Sequence, residues 1–70
     1  MRKPFDGDLA DNIRDVVLPD ITTAIDSLER LLQYEHPEAV IRNLLGGHKE
    51  LVKARSSIGL AAVAAEQGAS

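Results

Sequence analysis

The sequence predicts an all-α fold: an antiparallel helical hairpin with a proline-kinked or split first helix, pairing with a second copy into a four-helix bundle. Three observations carry this expectation. Apolar residues recur at spacings of three and four over two long stretches, the period of a helix and not of a strand. One short Glu-His-Pro break separates the stretches. The apolar stripes are also wider than a single helix–helix contact can cover.

Residues 1–7 hold Pro4 and Gly7 and show no period, so they read as a flexible N-terminal arm. Asp8 is a candidate N-cap, with Asp11 in the first turn, where carboxylates suit the positive end of the helix dipole. The first helical pattern runs from Leu9 to about Tyr34. Pro19 interrupts it, yet Ile13, Val17, Ile21, Ile25 and Leu28 follow one another by four, four, four and three. Proline is tolerated at the start of a new helix and kinks a helix it sits inside. A new helix would have no reason to preserve the phase of the old one, so the spacing favours a kinked or closely abutting helix.

His36 precedes Pro37, and a pre-proline residue avoids helical backbone. Glu35, His36 and Pro37 therefore form a short connection, which sets the helices antiparallel. The second pattern runs from Pro37 to about Gln67. Gly46 and Gly47 lie inside it, each costing about 1 kcal/mol against alanine. The stripe runs through them: Leu44, Leu51, Ile58 and Ala65 fall every seven residues, as do Val40, Gly47, Ala54 and Ala61. This periodicity favours one continuous helix with a large row and a small row, the small one letting a facing backbone approach. The chain thus reads as one hairpin domain over residues 8–67, with a frayed tail over 68–70.

Seventy residues suffice for one domain. A domain of this size buries only about 60% of the surface its unfolded chain exposes, and small domains are commonly reinforced by disulfides, metals or self-association. The chain has no cysteine and only two aromatic residues, Phe5 and Tyr34. Reinforcement by another polypeptide is the remaining route. In the first helix Val17, Ala24 and Leu31 make one row, Ile21 and Leu28 a second, and Ile25 and Leu32 a third; in the second, Ile41, Leu45, Val52 and Leu60 lie off the main rows. A strip left wet by the hairpin marks an interface. The expected dimer or partner surface comprises Ile21, Ile25, Leu28, Leu32, Leu44, Gly47, Leu51, Ala54, Ile58 and Ala61.

Charge and motifs narrow the function classes. The net charge is −3, with residues 1–38 at −5 and residues 39–70 at +2. Phosphate binding needs a basic surface, so nucleic acid is not the first expectation. The cations Lys49, Lys53 and Arg55 offer at most a small patch. Gly46-Gly47-His48-Lys49 lacks the spacing of a phosphate loop. His36 and His48 have no acidic or histidine neighbour three or four residues on, so no metal site is expected. Ser56 and Ser57 have no visible base; hydroxyls in a helix commonly bond back to the preceding turn. His36 reads as a capping or turn residue and His48 as a surface residue. No cofactor is expected. The longest nearly apolar run, residues 58–65, is far short of the ~20 residues that span a bilayer, and Arg2-Lys3 is not followed by a signal-like apolar segment. The plain expectation is a cytoplasmic, non-enzymatic protein that binds itself and another protein as a small regulator or adaptor, inhibitor- or chaperone-like. A nucleic-acid-associated or antitoxin-like dimeric regulator, and a structural subunit of a larger assembly, are the alternatives.

Overall fold

The computed structural model describes residues 2–68, and they form an all-α hairpin. Its elements are α1 (Leu9–Asn12), a π-helical turn (Ile13–Val17), α2 (Leu18–Leu31) and α3 (Glu38–Gly68). Residues 2–7 are non-helical and exposed. Gly7 takes a φ of +130° there, a backbone region open to glycine at no steric cost. Of the expected tail, Gly68 is the last helical residue, while positions 69 and 70, like Met1 of the arm, lie outside the described residues.

Asp8 starts the first helix as its spacing suggests. Its backbone is extended, and its Oδ1 accepts the Asp11 N–H at 3.0 Å, one of the donors a helix start leaves without a partner. Pro19 does not stop the helix. Asn12, Ile13, Val17 and Leu18 all keep right-handed helical backbone angles, and the Leu18 N–H donates to the Ile13 carbonyl five residues back. In a regular α-helix the ring of Pro19 would press on the carbonyl of Asp15. A wider turn just before the proline relieves that contact.

The π turn also settles the phase. Ala10, Ile13 and Val17 are spaced three and four, and they are buried or half-buried. A seam with that repeat would continue through Asp20, Ala24, Ser27 and Leu31, of which only Ala24 is even half-buried. Instead the buried side runs through Leu18, Ile21, Ile25, Leu28 and Leu32, one residue late. Three successive steps of four would carry a stripe roughly 120° around a regular helix at about 100° per residue. One extra residue taken up in the π turn cancels most of that drift.

The connection is short and internally bonded. Leu32, Gln33 and Tyr34 donate to the carbonyls of Leu28, Arg30 and Leu31. The His36 ring meets the Leu31 carbonyl at 2.6 Å; a carbonyl only accepts, so the imidazole Nε2 donates. His36 is thus a C-terminal cap. The Pro37 carbonyl accepts both Val40 and Ile41 and opens α3. That helix then runs unbroken through Gly46-Gly47 for 31 residues, about 46 Å at 1.5 Å per residue.

The result is a rod of 49 × 23 × 18 Å with a radius of gyration of 15.6 Å, against about 11 Å for a compact chain of this length. Among the described residues Ala10, Ile13, Ile25 and Ala62 are buried, and no side chain is fully enclosed.

Candidate functional site

The seam between the arms is a heptad strip. On α3 the buried or half-buried positions include Ile41, Leu44, His48, Leu51, Arg55, Ile58, Ala62 and Ala65, spaced alternately by three and four, as in a coiled coil. The large row read from sequence, Leu44-Leu51-Ile58-Ala65, is therefore one half of the seam. The other half is Ile41-His48-Arg55-Ala62, not the small row Val40-Gly47-Ala54-Ala61. His48 lies in that strip and not on the outer surface, and Ile41 belongs to it too. A reading that follows apolar residues alone passes over a row with a histidine and an arginine in its middle.

Among the described residues, two ion pairs join the arms and mark their antiparallel register. The His48 ring pairs with the Glu29 carboxylate at 3.3 Å. Near the open end, the Arg14 guanidinium pairs with Glu66 and reaches Asp11 on its own helix at 4.0 Å. Counting from Glu29 and His48 along antiparallel helices places Ile25 level with Val52, next to Leu51, and Leu18 level with Gly59, next to Ile58. Arg55 makes no hydrogen bond or ion pair among the described residues; its half-buried position lets an aliphatic stem line the seam while the charge reaches water.

The ten residues expected at an interface now sort into two groups. Ile21, Ile25, Leu28, Leu32, Leu44, Leu51 and Ile58 occupy the intrachain seam, all buried or half-buried. Gly47, Ala54 and Ala61 lie beside it on a flank, where Gly47 and Ala61 are exposed. A Cβ added at Gly46 or Gly47 would meet nothing within 4 Å. Neither glycine is there to admit the other arm of the same chain.

Seam positions are flanked on either side by two faces of the hairpin, and these differ in chemistry. One bears Arg14, Thr22 and Glu29 from the first arm, with Leu45, Val52, Gly59 and Glu66 from α3; both cross-arm ion pairs sit here. The other bears Leu9, Val16, Ala24 and Leu31 from the first arm. Facing these across the seam are Val40, Gly47, Ala54 and Ala61 of α3. No charged residue interrupts this second face at its flank positions. Leu9, Val16, Leu31 and Val40 are 47%, 49%, 47% and 41% exposed. Sequence reading put Leu31 in one apolar row with Val17 and Ala24, without assigning that row to the seam or to the surface, and singled out neither Leu9 nor Val16 as surface. The signal that finds them is the one-residue phase step at the π turn, since Val16 and Ala24 share a face only after it.

Other constellations resolve into ordinary structure. The cleft at the open end, lined by Asp8, Leu9, Asp11, Arg14 and Glu66 among others, has its cap and ion-pair groups bonded to one another. Lys53 lies near Glu50, Arg42 near Glu38, and Arg55 turns to the seam, so Lys49, Lys53 and Arg55 do not form one basic face. Among the described residues no group of histidine, cysteine and acidic side chains is arranged to hold a metal ion. No helix among them is long and apolar enough to cross a membrane. No family model, curated protein or solved structure matches this chain.

Proposed function

We propose that the hairpin is half of a binding module: it completes its core by pairing with a second copy into a four-helix bundle, and it acts as a protein-binding regulator or adaptor, by contact and not by catalysis. The observation that carries this reading is surface left uncovered. The chain exposes 5603 Å², whereas a compact monomer of 7.6 kDa exposes about 4,300 Å². The surplus, roughly 1,300 Å², to which the exposed arm of residues 2–7 contributes, is of the order of the ~800 Å² that each partner contributes to a standard interface. Much of it is apolar: Leu45, Leu60 and Val63 are 52%, 71% and 47% exposed, beside the four residues of the charge-free face. Pairing two hairpins is the established way to bury such strips.

A target protein would then be met either by exchange of the partner hairpin for a target helix, as in helix-in-groove recognition, or by apolar residues left outside the bundle, of which Leu60 is the most exposed. Sedimentation equilibrium at micromolar concentration tests the pairing. The expected mass is twice that of the chain. A single-chain mass throughout, with a cooperative helical melt, removes the bundle and leaves a self-sufficient hairpin.

A further inference from the structure

The uncovered surface is not uniform, and its asymmetry says where a second copy sits. We propose that two hairpins stack through the charge-free face, each presenting Val16, Leu31, Val40 and Gly47 to the other, while the face with Arg14, Glu29 and Glu66 stays in water. This rests on the dimer reading above and names the surface that reading leaves open.

Three observations converge on it. The first is electrostatic. Each chain carries a formal charge of −3, so two copies repel unless their contact keeps charges apart; like charges placed together at an interface cost several kcal/mol. The flank positions from Leu9 to Leu31 and from Val40 to Ala61 carry no ionisable group, and the nearest carboxylates, exposed Asp20 and Glu50, stand at their outer rim, where water still reaches them. The opposite face would bring Glu29 and Glu66 of both copies into a desolvated layer, and both are already engaged within the chain.

The second is exposure. Four large aliphatic side chains on the charge-free face are each 41–49% exposed: Leu9, Val16 and Leu31 along the first arm and Val40 near the start of α3. Their distribution spans the length of the rod, as an interface between two rods requires. The third is the glycine pair. Gly46 and Gly47 are adjacent, both exposed, and neither has a neighbour where a Cβ would stand. Each costs about 1 kcal/mol of helix propensity. Gly46 points away from the seam at the outermost position of the heptad. Gly47 lies on the charge-free face, where absence of a side chain lets another backbone come close. An isologous contact of this kind is self-complementary by symmetry, and it needs no partner chemistry beyond what the chain supplies.

The adjacent glycines supply the experiment. Gly46→Lys and Gly47→Lys add the same side chain into open space, remove no contact and replace glycine by a better helix former, so neither is expected to unfold the hairpin. Only the second puts a cation into the proposed interface, where an unpaired charge is strongly disfavoured. Sedimentation equilibrium should show Gly46→Lys dimerising like the unmodified chain. Gly47→Lys should dissociate it, with a weakening of about tenfold or more, while helical circular dichroism is retained. Leu45→Lys, on the ionic face, should leave the dimer intact. Equal dimerisation of the two glycine variants, or dissociation by Leu45→Lys alone, overturns the face assignment and leaves the dimer reading standing. A monomeric unmodified chain overturns both.

Discussion

The two arms of the hairpin face the same requirement and meet it differently. Each must keep a strip of three-and-four spacing against the other over roughly seven layers. α3 does so with no irregularity in 31 residues, although it carries two adjacent glycines. The first arm is seven or more residues shorter, holds one proline, and is interrupted by a π turn. Glycine in a helix interior costs about 1 kcal/mol, a penalty that a continuous seam outweighs. Proline removes a donor and collides with the preceding turn, at ~3 kcal/mol or more, so geometry has to give. It gives where the strip also needs one extra residue. The irregularity is therefore a register device: it puts Ile13 and Ile25 on one side of the arm, at 8% and 3% exposure.

The largest effect that would sharpen this contrast comes from deletions. Removal of Lys53, an exposed residue of α3, rotates everything beyond it by about 100° and carries Ile58 and Ala62 off the seam. We expect loss of the cooperative thermal transition, a destabilisation of about 4 kcal/mol or more. Removal of exposed Asp15 together with Pro19→Ala should do the reverse. It converts the π turn to α-helix and leaves Ala10, Ile13, Leu18 and Ile21 in a regular strip, so stability should stay within about 1 kcal/mol of the parent or rise. Equal damage from both deletions, read by circular dichroism melts, would show that the first arm does not hold a surplus residue.

Next in size is the division between knob and hole. The most buried large side chain belongs to the first arm, Ile25, and its counterpart in burial on α3 is small, Ala62, each 3% exposed. Ile25→Ala should cost about 2–4 kcal/mol through lost burial and a cavity. Ala62→Leu should cost about 1–3 kcal/mol by overpacking. Urea denaturation measures both. If Ala62→Leu instead stabilises, the seam near the open end is loose, and α3 contributes less to packing there than its burial suggests.

How much of this was legible in the residues follows from which signals are local. The Asp8 cap, the His36-Pro37 break and the continuity of α3 were readable, because each depends on a residue type at a position or on period alone. The seam of α3 was only half readable. Leu44, Leu51 and Ile58 announce themselves, but His48 and Arg55 occupy the alternate row, and a strip with polar members does not stand out by hydrophobicity. Their places are decided by the opposite arm, through Glu29 for His48 and by stem packing for Arg55. The π turn was legible only as a run of three fours whose meaning depends on helical geometry. Which of the three apolar rows of the first arm faces the seam was undecided for the same reason: one residue of phase puts Leu31 outside it, 47% exposed.

The helix starts differ in a way that predicts a smaller effect. The first arm begins with a side-chain cap, Asp8 on the Asp11 N–H, whereas α3 begins on the Pro37 carbonyl with its preceding turn held by His36. Asp8→Ala should cost about 1 kcal/mol, and Asp8→Asn, which keeps the acceptor, only a fraction of that. Both are measured by chemical denaturation. A full loss in Asp8→Asn would assign the effect to charge and dipole and not to the hydrogen bond.

The smallest expected effect concerns the ion pair that closes the open end. Arg14 joins the first arm to Glu66 on α3, and both side chains are nearly half exposed, 41% and 48%. An exposed pair contributes roughly 0–1 kcal/mol and is screened within about 8–10 Å at ordinary salt. Glu66→Gln should therefore lower stability by less than about 1 kcal/mol, and the difference from the parent should shrink as salt is raised. The pairing inverts the charge balance of the two halves, since a base of the acidic half meets an acid of the basic half. Gross charge asymmetry does not set this register; the apolar strip does, and the ion pair follows from where the strip brings the two ends. A loss well above that bound, persisting in high salt, would mean that Arg14 packs as part of the seam, and the ionic face would then extend further into the core than the exposure of these side chains implies.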